Sequence, residues 1–147
     1  MKYVYEFEHV RTVAIDKDTG DVIHNTKLLG FFSTKEKCKE LIPFYLEQPG
    51  FKDFPNDFSI KKIEADINDF NETGGEFGTT VFQLTHEWYD GEYDYVSHLG
   101  VYSTKKLAKK SLASYKLEPE FLGHPDGFCI DECLIDECEW KEGFFTY

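Results

Sequence analysis

Two histidines occupy matching positions in this 147-residue chain: His9 closes the run from Val4, and His86 closes the similar run from Val81. An imidazole titrates near neutral pH and can act as acid, base or ligand. A repeated His is therefore read first as a symmetric pair that faces a symmetric or dimeric small ligand. Catalysis needs more: no nucleophile or second carboxylate recurs beside both histidines, so no acid–base or nucleophilic constellation forms around them. The plainer reading is a strand histidine paired to a backbone carbonyl. No catalytic residue is assigned, and the chain is read as a non-enzyme.

Three further clusters carry ligand-type atoms. Cys129, Cys133 and Cys138, with His124 nearby, have the composition of a zinc site but not its paired-knuckle spacing. The first half of the chain has no matching cysteines, and Cys133 stands where Ile63 does, as a small core residue would. They are read as reduced thiols with no metal. Asp16-Lys17-Asp18-Thr19-Gly20-Asp21 has the alternating oxygens of a calcium loop, yet Lys27 stands at the twelfth position, where a bidentate acid belongs. A hairpin tip is the better reading. Lys105, Lys106, Lys109 and Lys110 form a basic strip of the kind that usually faces solvent.

The stretch Glu87-Trp88-Tyr89-Asp90-Gly91-Glu92-Tyr93-Asp94-Tyr95 stands out. Trp and Tyr are preferred interface anchors, and flanking acids suit a basic partner. Trp88, Tyr89, Asp90, Glu92, Tyr93 and Asp94 are therefore the candidate partner-binding residues. The acidic run Asp131, Glu132, Asp136, Glu137 and Glu139, with Trp140, has the same character. Whole-chain charge agrees: 28 acids against 16 bases give a net charge of −12. Such a field repels nucleic acid and anionic membrane and steers basic partners.

These residues must be positioned by two copies of one unit. Leu29-Gly30-Phe31-Phe32-Ser33-Thr34-Lys35 returns as Leu99-Gly100-Val101-Tyr102-Ser103-Thr104-Lys105, and 13 of the 38 positions from Leu29 to Asp66 are identical 70 residues later. The opening strands align at an offset of 77, so the first hairpin is seven residues longer. Alternation predicts strands over 3–15, 21–32 and 58–66, and over 81–88, 93–102 and 128–136. A capping box at Ser33 to Glu36 opens a helix whose inner face carries Cys38, Leu41, Ile42 and Tyr45. Pro43 should kink that helix or shift its start. The matching helix follows Ser103, with Ala108, Leu112 and Tyr115 inward. Asp90-Gly91 reads as a two-residue hairpin turn. The out-of-phase Ile63 and Ala65 suggest a bulge at Lys61-Lys62.

Each copy is β-β-α-β with its first strand in the middle of an antiparallel sheet. The expected class is α+β: residues 1–70 form the first repeat, 71–80 a Gly-rich linker and 81–147 the second, related by a pseudo-two-fold. One six-stranded sheet or two separate sheets both fit. At 41% apolar and 17% aromatic residues the chain builds a packed, aromatic core. No run approaches the roughly 18 apolar residues of a membrane span, and the N-terminus has no signal pattern, so a cytoplasmic protein is expected.

The second copy resembles a small, largely uncharacterised bacterial domain family. His86, Leu99 to Thr104, Pro119, Phe121, Pro125 to Phe128, Asp136 and Trp140-Lys141-Glu142-Gly143-Phe144 carry the likeness. The first copy departs from it, with Phe70-Asn71-Glu72-Thr73-Gly74 in place of the Trp motif. The resemblance implies no activity and no cofactor. By analogy of type, small acidic proteins of this kind act as immunity proteins against toxins. The expected function is a non-enzymatic module that binds a basic protein, such as a toxin. The alternative is a small-ligand binder with its site between the repeats, at His9 and His86.

Overall fold

A computed structural model of the chain describes residues 1–15, 17–20 and 22–144. The element order is β1 (Tyr3–Ile15), β2 (Val22–Phe32), α1 (Lys35–Leu46), β3 (Phe58–Glu64), β4 (Thr80–Tyr89), β5 (Asp94–Tyr102), α2 (Lys105–Tyr115) and β6 (Phe128–Leu134). A single 3-10 turn follows each helix, at Phe51–Asp53 and Pro119–Phe121. The strands form two three-stranded sheets of order β2-β1-β3 and β5-β4-β6, so the expected α+β class and central first strand are borne out. The choice left open falls to two sheets.

The repeated Leu-Gly pair is a β-bulge. Phe7 faces Gly30 while Glu8 faces Leu28, leaving Leu29 as the extra residue; Leu84 faces Gly100 while Thr85 faces His98, leaving Leu99. Gly30 (φ 145°) and Gly100 (φ 131°) take backbone angles that a side chain resists. A Cβ at Gly100 would press on the Tyr102 ring, and one at Gly30 on the Phe32 ring. The aromatic two residues on thus covers the glycine. No bulge is needed to explain the same phase break in β6, the counterpart of β3. In β6 the neighbours Asp131 and Glu132 are both exposed, yet β6 runs against β4 in unbroken register from Thr80↔Leu134 to His86↔Phe128.

The helices begin one residue later than the capping box places them. Thr34 and Thr104 are the N-caps, their hydroxyls accepting from Lys37 N (3.3 Å) and Leu107 N (3.2 Å). Pro43 neither ends α1 nor shifts its start; the helix continues to Leu46. The inner face is as expected: Cys38 and Tyr45 are buried with Phe7, Leu29, Phe32 and Phe51, and Leu41 and Ile42 pack against them. Ala108, Tyr115 and Leu112 do the same against Leu84, Leu99 and Phe121.

The chain divides into two compact units that cut across the repeats. One comprises Met1–Val4 and Ile63–Ile135; the other comprises Tyr5–Lys62 and Asp136–Tyr147. Each is the body of one repeat completed by the segment that follows the other repeat's last strand. Ser33 and Ser103, displaced from capping, receive those segments. In the second-repeat unit Asp66 takes φ 65°, its N–H donates to Val101 O (3.0 Å), and its carboxylate accepts from Ser103 N and Oγ (both 2.7 Å). In the first-repeat unit Asp136 takes φ 69°, donates to Phe31 O (2.8 Å), and accepts from Ser33 N (2.8 Å) and Oγ (2.9 Å). Both carboxylates sit at the positive end of a helix, and Asp tolerates the left-handed backbone better than most residues.

The segments then dock by aromatics. Tyr45 Oη donates to Glu139 O (2.5 Å), and Phe144 joins the Phe7–Tyr45–Phe51 cluster, its N–H on Pro49 O (2.9 Å). Gly143 (φ 80°) lies so close to Pro49 O that no Cβ fits. In the second-repeat unit Phe70 sets its ring edge-on to Tyr115 at 4.8 Å. Residues 71–79 are irregular, but Phe77 is buried and its N–H donates to Met1 O at 2.6 Å.

Asp66 is 4% exposed, whereas Asp136 is exposed and also ion-paired with Lys37 at 2.8 Å. Charge-assisted bonds contribute about 1.5–3 kcal/mol each when buried. Asp66→Ala should therefore cost about 3–4 kcal/mol in urea unfolding and Asp136→Ala about 1–2 kcal/mol, with Asp66→Asn in between. Equal costs for the two alanine variants, or a loss under about 0.5 kcal/mol at Asp66, would show that these carboxylates do not hold the segments.

Candidate functional site

The acidic aromatic stretch forms the β4–β5 hairpin of the second-repeat unit. Trp88 faces Tyr95 and Tyr89 faces Asp94, so the loop is four residues, Asp90 to Tyr93, and not the two-residue turn expected. The reason is the Asp90 side chain. Its carboxylate accepts from Glu92 N (2.8 Å) and Tyr93 N (2.7 Å), while Asp90 N donates to Tyr93 O (3.1 Å). An Asp that mimics a backbone turn closes a longer loop without needing a glycine pair. Tyr95 Oη adds a bond to Asp90 Oδ2 (3.0 Å) and Tyr89 Oη one to Gly91 O (2.8 Å). The backbone bonds from Tyr93 and Glu92 hold the Asp90 carboxyl below the usual carboxylate range.

Trp88 is half-buried in a stack. Its ring lies 4.2 Å from His124 (10° between planes) and 4.5 Å from Tyr95 (15°). Two near-parallel rings at those distances cover both indole faces, leaving its edge for contact. Tyr89 is 63% exposed, Tyr95 45% and Val96 50%; Glu87, Glu92 and Asp94 are exposed, and Tyr93 is half-buried. β5 is an outer strand whose residues from Asp94 to His98 are exposed on both faces. Of the six residues read from sequence, Tyr89, Glu92 and Asp94 stand outward, while Trp88 and Asp90 shape the loop. Tyr95, Val96 and His124 were missed. A two-residue turn pairs Trp88 with Tyr93, and the true loop moves Tyr95 into that place.

The two histidines are each sealed within their own unit. His9 Nε2 lies 3.0 Å from Phe54 O, among Phe51, Phe58 and Phe144; His86 Nε2 lies 2.7 Å from His124 O, against Phe121 and Phe128. Burial lowers the His9 pKa, outweighing its bond to Phe54 O, so the ring is neutral at pH 7. Cys129 and Cys133 lie on β6, whereas Cys138 packs against the first-repeat cluster. Among the described residues no three His, Cys, Asp or Glu side chains are placed to hold a metal. Asp16 and Asp21 of the calcium-like loop lie outside the described residues. The four lysines of α2 are exposed, and the acidic run near the end is divided: Asp131 and Glu132 stand on β6, while Asp136 docks on Ser33.

Residues 79–146 match the sequence profile of a domain of unknown function, DUF7336. The match falls on the second repeat, which is similar to that domain. The expected likeness to an uncharacterised domain family is thereby borne out, on the copy that carried the motifs. The matched span runs from β4 through the terminal segment that completes the first-repeat unit. No curated protein and no solved structure gives a significant match to the chain. No helix among the described residues is long and apolar enough to cross a membrane.

Sequence reading also passed over a buried carboxyl pair. Glu6 and Glu8 share the face of β1 opposite the aromatic cluster, 7% and 5% exposed. Burial, then the hydrogen bond and charge of Glu8, push the Glu6 pKa up to about 8, against the opposing pull of Lys61. The folded chain then holds a proton that the unfolded chain releases above its ordinary value of 4.5. Stability from this pair is complete below pH 4.5 and is lost as pH rises toward 8. His9 acts the other way, costing stability as pH falls through 6.5. Melting curves of Glu6→Gln should gain on the native chain steadily between pH 5 and 8. A constant difference over that range would contradict the shared proton.

Proposed function

We propose that the chain is a non-enzymatic binding module that docks a basic protein on the β4–β5 hairpin. The supporting observation is an outer strand and loop that combine exposed Tyr89, Tyr95 and Val96 with exposed Glu87, Glu92 and Asp94. Among the described residues none of these three acids forms an ion pair; the Lys37–Asp136 pair lies elsewhere. Large rings on a hydrogen-bonded loop contribute contact area with little ordering cost, and surrounding acids accelerate encounter with a cationic surface. The outer edge of β5 also offers a backbone ladder to an added strand. The specific form of this reading is an immunity-type role in the cytoplasm, with a basic toxin as the occupant.

The test separates the hairpin from the general field of a −12 chain. Native protein, a Tyr89→Ala/Glu92→Lys/Asp94→Lys variant, and a Glu120→Lys/Glu132→Lys control are used to capture basic proteins from host lysate at low and high salt. The hairpin variant should retain less than a tenth of the captured partner, whereas the control retains most of it. Equal loss in both, or no loss in either, would refute the assignment.

A further inference from the structure

The duplication supplies an internal control for one group of side chains. Trp88, Tyr95, Ser97 and His124 of the second repeat align with Arg11, Asn25, Lys27 and Phe54 of the first. The strand registers agree, since Arg11 faces Asn25 as Trp88 faces Tyr95. Where the second repeat closes this corner with an aromatic stack, the first places two cations in an open recess of about 570 Å³. The fold itself therefore does not require cations there.

These cations are placed at a cost. Lys27 is only 7% exposed; its Nζ lies 3.9 Å from the Phe144 centroid and 5.4 Å from that of Trp140, and donates to Asn25 Oδ1 at 2.7 Å. The Arg11 guanidinium lies 5.0 Å from the Phe54 centroid and 5.9 Å from Phe144, and its buried Nε has no hydrogen-bond partner among the described residues. Burial and then the neighbouring Arg11 lower the Lys27 pKa. Ring faces offset part of that, but among the described residues no carboxylate reaches ion-pair distance of either cation, in a chain where acids outnumber bases 28 to 16. Trp140, 45% exposed, lines the same recess. Two converging cations, an unmet donor and an exposed ring are the features of a site for an anion with a flat body.

We infer that this recess binds a small aromatic anion, its charged group held by Arg11 and Lys27 and its ring laid against Trp140. The site lies wholly in the first-repeat unit and is independent of the hairpin reading.

The chain has two tryptophans, one in each unit, so the indole N–H signals report on the site and on a control together. Phenyl phosphate and benzoate are titrated into the full chain, with inorganic phosphate and benzyl alcohol as partial probes. At least one aromatic anion should move the Trp140 signal saturably and leave Trp88 in place, with each partial probe at least tenfold weaker. Arg11→Met and Lys27→Met should each weaken that binding at least tenfold while melting at or above the native temperature. No saturable shift at Trp140 with either aromatic anion would overturn the proposal, and this readout needs no variant. So would inorganic phosphate binding as well as phenyl phosphate, unaltered binding in both variants, or variants that melt well below the native chain.

Discussion

The Asp-to-Ser clasp at the start of each helix is the constraint on which the architecture depends. A strand that ends in a left-handed Asp turns the chain sharply and presents the carboxylate at the mouth of a helix. That carboxylate satisfies Ser N–H and O–H groups that the Thr cap leaves unpaired. The Asp comes from one repeat and the Ser from the other. The body of each repeat lacks an aromatic and a helix-end partner until the other's segment arrives. For bodies of this size, near the lower limit for an independent core, that completion matters. The two clasps also differ: Lys37 pairs with an exposed Asp136, whereas Asp66 is buried and Leu107 stands at the position matching Lys37.

Against that shared frame the two repeats diverge at one corner. The second repeat fills it with Trp88 between Tyr95 and His124, a stack that stiffens an acidic hairpin. The first fills it with Arg11 and Lys27 on Phe54, Phe144 and Trp140. A duplicated scaffold has no structural need for cations in one copy and an aromatic stack in the other at equivalent positions, so the divergence is where binding chemistry is to be sought. Fold and function separate here as they generally do, with function in the side chains grafted onto a common backbone.

The repeat was legible because its signature residues are backbone constraints. Gly30 and Gly100 mark bulges, Thr34 and Thr104 caps, and Asp66 and Asp136 clasps, so each had to recur with its geometry. What those residues bond to was not legible. Ser33 looks like a cap because Glu36 follows it, yet its partner is 103 residues away. The hairpin loop was misjudged because Asp90-Gly91 is a strong two-residue signal, and only the side-chain bonds of Asp90 reveal the longer closure. The buried histidines follow from alternation, which puts His9 with Phe7 and His86 with Leu84. The recess at Arg11 stayed hidden because exposed-looking cations on a strand carry no signal until Phe144 is brought beside them.

The central claim is that each repeat is completed by the other's terminal segment, and amide hydrogen exchange on a chain truncated after Ile135 tests it most directly. Repeat boundaries alone would place the damage in the second repeat, which loses its own ending. The clasp account predicts the reverse: protection should collapse in β1, β2 and α1, which lose Asp136 and Phe144, while β4, β5, α2 and β6 keep theirs. Loss of protection confined to β4–β6, or protection unchanged throughout, would contradict it.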